Sequence, residues 1–378
     1  MKKTMSKRDE VQAAALAEAL KYRRCGLGIS MGVGKTLIGL KYLEHHYESQ
    51  HLNKMRILVV APKLSIFESW KQDGEKFDVN PNVLKRIEYT TYLSLTKKDP
   101  TEYDFLVLDE CHSLLYSHEE WLQEYKGQIL GLTGTPPRWR NSEKGEMVSK
   151  YCPMVYKYIT DDAVEDRILN DYKIVVHELV LDTKRNMPVE VKGKRWMSSE
   201  FDSYEYWTRR LTQATTQKAK QIMSVLRMNS MMKYPSKDAY AKTLFDSIDE
   251  KCILFANTIE QARALCEYTY DSQNPDSEDN LQAFSAGEIN KLSCVLQLNE
   301  GVNIKGLKAG IIMHSYGNER KSSQRIGRLL RLNPDDCATI HILCYKGTVD
   351  EKWVTAALKD FDESKITWVK KGETVLNF

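Results

Sequence analysis

Gly28-Ile29-Ser30-Met31-Gly32-Val33-Gly34-Lys35-Thr36 is the stretch on which the fold turns. Helical periodicity runs before it, over Ala13–Tyr22, and after it, over Leu37–His46. A glycine-rich turn that opens a helix offers backbone N–H groups and the positive end of a helix dipole to an anion. Lys35 adds a point charge for outer phosphates, and the Thr36 hydroxyl suits Mg²⁺. An ordinary turn before a helix is the weaker alternative reading of the same run. Partners further along the chain decide between the two.

The chain around it bounds the answer. Its 378 residues are 42% hydrophobic and 28% charged, which fits a globular protein of two or three domains. No apolar run reaches the roughly 18 residues of a membrane span. The N-terminal Met1-Lys2-Lys3-Thr4 is not followed by an apolar segment of the secretory kind. The eight cysteines are scattered without a Cys-x-x-Cys pair, which points to a reducing cytoplasm and away from a zinc module. A net charge of +3 does not by itself imply a polyanionic partner.

Strand-like runs then recur. Arg56–Pro62 is rich in β-branched residues, as a buried parallel strand would be, and Lys63–Phe77 after it reads as a helix. Ile87–Leu93 is strand-like and holds Thr90 and Thr91. Tyr103–Leu108 delivers Asp109-Glu110-Cys111-His112 at its end, and Gln128–Leu132 delivers Thr133-Gly134-Thr135-Pro136. Strands alternating with helices predict a parallel sheet with right-handed crossovers, whose ligands sit at the carboxyl ends of the strands. Pro136–Tyr158 reads as irregular, and Asp161–Asn170 as a short acidic helix. A second strand–helix series starts at Lys251–Ala256. It continues through a helix at Asn257–Tyr268, strands at Leu292–Leu298 and Gly310–His314, a helix at Ser323–Arg331, a strand at Ala338–Tyr345 and a helix near Thr348–Phe361.

Between the series, residues 182–233 hold eleven Lys or Arg against five Asp or Glu, a larger excess than that of the whole chain. Trp196, Phe201, Tyr204, Tyr206 and Trp207 are interleaved with them. Basic groups with aromatic faces suit a nucleic acid; a solvated connector whose aromatics pack inward is the other reading.

The residues assign themselves roles. Asp109 is placed to hold Mg²⁺ through water with Thr36, and Glu110 to deprotonate an attacking water. Arg328 and Arg331, three apart on one helix face, suit a γ-phosphate.

At this point the chain resembles a superfamily 2 helicase or translocase over nearly its full length. The residues that carry the resemblance are Gly32–Thr36, Ala61-Pro62-Lys63 with Trp70, the box Asp109–His112, Thr133–Pro136, and Gln-x-x-Gly-Arg-x-x-Arg over Gln324–Arg331. The Ala61–Trp70 spacing is close to that of the chromatin-remodeller type, and the compactness is similar to a minimal phage-encoded member. The resemblance implies an α/β protein of two tandem RecA-like domains, each a parallel sheet flanked by helices, with the ATP site in the cleft between the lobes. The lobes are expected over 1–165 and 166–378, the second carrying the basic aromatic insert at about 182–240. The activity implied is nucleic-acid-dependent ATP hydrolysis with Mg²⁺, driving unwinding or remodelling of DNA; a duplex translocase and an RNA helicase are alternatives.

Carried over residue by residue, the nucleotide site would use Gln12, which takes the adenine-reading position, with Gly32, Val33, Gly34, Lys35, Thr36, Asp109, Gly301, Asn303 and Gln324. Catalysis would rest on Lys35, Glu110, Arg328 and Arg331. Coupling would run through His112, Thr133, Gly134 and Thr135. Pro62, Lys63, Thr90, Thr91, Asn257 and Thr258 would touch the nucleic-acid backbone, and Lys192, Lys194 and Arg195 of the insert would add charge. The cytoplasm, or that of a host cell, is the expected location, with DNA as partner and no membrane. Two departures stand out. Ile29 replaces a small or acidic residue at the loop's mouth, and Val295 replaces the strand-touching threonine of the fifth motif.

Overall fold

A computed structural model of the protein describes residues 5–30, 32–50, 55–137, 140–191, 193–295, 304, 306–314, 337–359 and 361–370. The chain divides into two compact units, one built on Met1–Asp171 and the other on most of the chain from Tyr172 onward.

The first unit opens with helix α1 (Lys7–Ala19), strand β1 (Arg24–Ile29) and helix α2 (Lys35–Gln50). α1 lies within Ser6–Tyr22, where the sequence places an amphipathic, alanine-rich helix, and Ser6 and Asp9 cap its start: the Ser6 hydroxyl accepts from the Asp9 N–H, and the Asp9 carboxylate accepts from the Ser6 N–H. There follow β2 (Ile57–Ala61), α3 (Ser65–Lys76), the short α4 (Pro81–Leu84), β3 (Ile87–Thr91), β4 (Phe105–Asp109), α5 (Glu119–Glu124) and β5 (Gln128–Thr133). The unit closes with α6 (Glu143–Tyr151), β6 (Met154–Tyr158) and α7 (Thr160–Glu165). The stretch 136–158, expected to be irregular, therefore contains a helix and a strand. The Ser142 hydroxyl starts the helix by accepting from the Gly145 N–H.

The six strands form one sheet in the order β3-β2-β4-β5-β1-β6, parallel throughout. β2 (Ile-Leu-Val-Val-Ala) and β4 (Phe-Leu-Val-Leu-Asp) are buried along their whole length, as strands covered by helices on both faces must be. β1 gives no such signal, because Gly26 and Gly28 interrupt it. Both glycines are required by close packing. A Cβ on Gly26 would lie 2.5 Å from the Cys152 carbonyl oxygen, and one on Gly28 would lie 2.8 Å from Pro136 Cγ. Gly39 on α2 has the same kind of reason: its Cβ would meet the Trp70 ring at 2.7 Å, so the bare backbone is what lets Trp70 sink fully into the core.

The second unit begins with β7 (Asp171–Leu179). Next come an antiparallel hairpin of β8 (Met187–Val191) and β9 (Lys194–Ser198), then helices α8 (Glu200–Gln213), α9 (Gln217–Met231) and α10 (Pro235–Ser247). The basic segment is thus a β-hairpin followed by a helical hairpin. The remainder is β10 (Cys252–Ala256), α11 (Ile259–Leu265), β11 (Thr269–Tyr270), α12 (Ser277–Ala286), β12 (Lys291–Val295), β13 (Ala309–Ile312), β14 (Cys337–Tyr345), α13 (Val349–Leu358) and β15 (Ile366–Lys370). The sheet order is β11-β12-β10-β13-β14-β7-β15. β10 is paired in parallel with β12 and β13, β12 with β11, β13 with β14, and β15 with β7. Two parallel sheets flanked by helices are the tandem RecA-like architecture that the motifs imply.

Candidate nucleotide site

The carboxyl ends of β1, β4 and β5 converge on one constellation in the first unit. Past β1 the loop turns through Gly32 at φ +85° and Gly34 at φ +107°, left-handed values at which a side chain would be strained. A Cβ on Gly34 would also lie 2.5 Å from Gln12 Nε2 and displace that side chain. The Val33 side chain is buried, and its carbonyl oxygen accepts from Gln12 Nε2 at 2.6 Å and from Arg8 Nε at 3.1 Å. The Gln12 amide, expected to read adenine, is thus engaged in holding the loop. Arg8, one helical turn earlier on α1, shares the task and escaped the sequence reading. Its signal was the i, i+4 spacing to Gln12. Burial lowers the Arg8 pKa from its ordinary value, while Asp9 and Asp73 oppose that shift.

Lys35 and Thr36 open α2 and are both half-buried. Lys35 Nζ stands 3.7 Å from Glu110 Oε1, an ion pair too long for a hydrogen bond. Glu110 follows β4 with φ +50°, a left-handed conformation for which it has neither glycine's freedom nor a short amide side chain. Backbone of this kind costs on the order of 1–3 kcal/mol and persists where neighbours over-determine it. Those neighbours are identifiable. Burial opposes ionisation of the Glu110 carboxyl, yet the charge of Lys35, then His112, the Thr133 hydroxyl and the Gly134 N–H together hold its pKa below the usual value. The carboxylate is therefore kept charged inside the protein.

His112 and Thr133 complete the network. Thr133, fully buried, donates its hydroxyl to Glu110 Oε2 at 3.3 Å and accepts the Thr135 N–H at 3.1 Å. His112 Nδ1 lies 2.8 Å from Thr133 Oγ1, 3.3 Å from Glu110 Oε2 and 3.5 Å from Thr135 Oγ1. Because the carboxylate only accepts, the threonine hydroxyl points at it, and His112 Nδ1 carries a proton toward the threonine oxygen. The residues expected to couple, His112, Thr133, Gly134 and Thr135, meet here around one carboxylate.

Asp109 is fixed from three directions. Its Oδ2 accepts from Trp70 Nε1 at 2.8 Å, its Oδ1 from the Glu110 N–H at 3.0 Å, and its carbonyl oxygen from the Tyr92 hydroxyl at 2.9 Å. The Trp70 bond explains why a tryptophan stands at that place on α3, a role the sequence did not reveal. The donor set fits a nucleotide with Mg²⁺. Glycines line the loop, a lysine and a hydroxyl open the helix, and a carboxylate stands at a strand end.

The other expected site residues are distributed as follows. Pro62 and Lys63 leave the end of β2, and Thr91 ends β3 beside it. Thr90 is buried, so only the Thr91 side chain reaches the rim. In the second unit, Asn257 follows β10, and the Thr258 hydroxyl caps α11 by accepting from the Gln261 N–H. Arg195 is exposed on β9. Gly301, Asn303, Gln324, Arg328, Arg331 and Lys192 lie outside the described residues, as does the Lys194 side chain.

A phosphate loop, an Asp-Glu-x-His box and a threonine turn, each at a strand end of one parallel sheet and followed by a second parallel sheet, define a protein of the tandem RecA-like class. The family matches carry the assignment further. Residues 4–138 match the model of the res subunit of type III restriction enzymes, and residues 236–333 match the conserved C-terminal domain of helicases. The chain belongs to superfamily 2 of the helicases and translocases.

Among curated proteins it is 27% identical over 374 residues to the DNA 3'-5' translocase XPB2 of Sulfurisphaera tokodaii, covering 90% of this chain and 82% of that one. Among solved structures it superposes on the ATP-dependent type ISP restriction-modification enzyme LlaBIII bound to DNA with a TM-score of 0.63 at 15% identity. That match covers 99% of this chain and 32% of the enzyme, so the chain spans about a third of its length. A fragment described as the HsdR subunit of a type I restriction enzyme from Vibrio vulnificus gives a TM-score of 0.60 at 17% identity, covering 96% of this chain and 67% of that fragment. The two structures establish the fold. No helix among the described residues is long and apolar enough to cross a membrane.

Proposed function

We propose that the chain is a DNA-dependent ATPase that works as a motor, unwinding or remodelling DNA, with lobes over 1–165 and 166–378. The observation that carries the reading is the network in which Lys35, Glu110, His112 and Thr133 meet at the ends of three adjacent strands. A carboxylate held ionised is in the protonation state in which it can take a proton from an attacking water. Lys35, only loosely paired to it, is free to turn toward a phosphate. Thr36 and Asp109 would hold Mg²⁺ through water, and bound Mg²⁺ neutralises charge on the outer phosphates. Arg328 and Arg331 are assigned to the γ-phosphate, with Gly301, Asn303 and Gln324 beside the nucleotide.

His112 and Thr133 then supply the link from hydrolysis to movement. The Glu110 carboxylate cannot change partners without disturbing the threonine turn. Pro62, Lys63, Thr91, Asn257 and Thr258 are assigned to the nucleic-acid backbone, and Lys192, Lys194 and Arg195 to added phosphate contacts. The name of the Sulfurisphaera relative supports DNA as the track, and it favours a second reading, translocation along duplex DNA without strand separation.

One experiment addresses both readings: ATP turnover against single-strand, duplex, forked and RNA ligands, with strand-displacement and triplex-displacement assays alongside. The proposal expects strong stimulation by DNA and displacement of a strand from a fork. Triplex displacement without strand displacement selects the translocase, and stimulation by RNA alone refutes DNA as the track.

A further inference from the structure

Among the described residues the two most exposed large hydrophobic side chains are Leu93, 89% exposed, and Leu64, 72% exposed. Single exposed leucines need no explanation, but these two share one corner of the first sheet. β2 and β3 are parallel neighbours with Ala61 opposite Thr91, and Leu64 and Leu93 follow those partners by three and two residues. Both turns are rigidly mounted. Phe67, in the first turn of α3, packs on Tyr89 of β3 with ring centroids 5.1 Å apart. Tyr92, beside Leu93, is buried and donates its hydroxyl to the Asp109 carbonyl oxygen at 2.9 Å, while its own carbonyl oxygen lies 3.1 Å from His118 Nε2. Residues 62–66 and 90–97 carry Lys63 and Lys97 and no carboxylate, a composition complementary to a polyanion.

We infer that Leu64 and Leu93 are the sugar-discriminating contacts of the nucleic-acid track, selecting deoxyribose over ribose. The inference rests on the proposed placement of the strand backbone against Pro62, Lys63 and Thr91. A backbone whose phosphates meet those residues brings its sugars against the neighbouring side chains. A leucine neither donates nor accepts. Against it, the apolar C2′ methylene of deoxyribose gains contact, whereas a ribose 2′-hydroxyl loses a water partner and finds none. The 2′-position is where RNA and DNA differ most usefully to a protein. The position of Tyr92 adds a reason for the contact to influence turnover, since the Leu93 turn is bonded directly to the Asp109 backbone.

The test compares ATP turnover on DNA and RNA single strands of one sequence, and on DNA carrying short ribose blocks. It is run for the wild-type chain and for the Leu64→Ser/Leu93→Ser variant, with oligomeric state measured by light scattering. The wild type should prefer DNA, and the variant should narrow the DNA-to-RNA ratio by about tenfold while both proteins remain in the same oligomeric state. An unchanged ratio in a DNA-stimulated variant overturns the inference and leaves the motor reading standing. Equal weakening on both strands overturns it too, because the leucines would then be general apolar contacts. A changed oligomeric state makes the corner a protein interface and also overturns it. Stimulation of the wild type by neither strand removes the motor reading and this inference together.

Discussion

Each unit holds a lysine–carboxylate pair beside the carboxyl end of its sheet, and the two are built to opposite specifications. Lys35 and Glu110 stand 3.7 Å apart with about a tenth of each side chain exposed, and the glutamate has a left-handed backbone. Lys237, on α10, and Asp350, in the first turn of α13, meet at 2.5 Å with 0% and 1% exposure. Lys237 spends its other donors on the Leu343 carbonyl oxygen at 3.3 Å and His314 Nδ1 at 3.2 Å, and its ammonium lies 4.6 Å from the Tyr345 ring centre. Burial raises the Asp350 pKa even though Lys237 opposes the shift. In the second pair the lysine's three donors are all engaged, and the contact ties α10, α13, β14 and the segment after β13 together. The first is long, and its glutamate holds a left-handed backbone conformation. A buried charge pair is therefore no sign of function by itself; the looseness of the contact is what distinguishes the two.

Breaking each pair should separate the roles. Lys35→Met should lower ATP turnover by on the order of 10³-fold or more while costing less stability than the loss of Lys237, because the 3.7 Å contact is not a hydrogen bond. Lys237→Met should do the reverse, removing about 3–5 kcal/mol by stranding Asp350. Lys237→Met/Asp350→Leu should recover much of that loss, a result only a structural pair gives. Equal effects of Lys35→Met on stability and turnover would erase the contrast.

A smaller effect is expected one layer beneath the site. Gly39→Ala should destabilise by about 1–3 kcal/mol, because its Cβ displaces Trp70 and with it the donor to Asp109. Wild-type stability in that variant would mean the tryptophan is not tightly seated.

The two units should also differ toward acid. In the first, Glu110 is held below the usual carboxylate range, so its ionisation should not limit turnover near neutral pH. In the second, burial lowers the pKa of His177 to about 4 and of His341 to about 3, the pair sharing a hydrogen bond of 2.9 Å. In the unfolded chain these imidazoles titrate near 6.5, so below that value the unfolded state binds protons that the folded state excludes. Their stabilising effect is complete above pH 6.5 and is lost as pH falls toward 4, at up to about 1.4 kcal/mol per pH unit for each histidine. Denaturant titrations at pH 7, 6 and 5 measure it, and His177→Gln should flatten the slope. The smallest effect is expected from the insert: Lys194→Ala/Arg195→Ala should reduce the salt dependence of DNA binding by about one unit per lost phosphate contact. An unchanged slope would make the β8–β9 hairpin a connector.

What the sequence disclosed follows from which signals are local. β2, β4 and β5 announce themselves as apolar runs, and the Asp-Glu-x-His box and threonine turn sit where strands end, so sheet and site were largely legible. β1 was hidden because packing against Cys152 and Pro136 demands glycines, which weaken the strand pattern. β6, α6, α10 and β15 were missed for want of a strong period. Arg8 and Trp70 were not recognised as supports of Val33 and Asp109, since a hydrogen-bond partner across 25 or 39 residues is fixed by tertiary packing. The hairpin of the basic segment was likewise invisible in a composition that fits several structures.

A loose pair that works in hydrolysis requires Glu110 to act as the base. ATP binding and DNA-stimulated hydrolysis, measured side by side in the wild-type chain and in Glu110→Gln, test that role. The expected result is unimpaired nucleotide binding with hydrolysis reduced by roughly 10²–10⁴-fold at saturating DNA. Near-normal hydrolysis in Glu110→Gln would exclude the Glu110 carboxylate as the base.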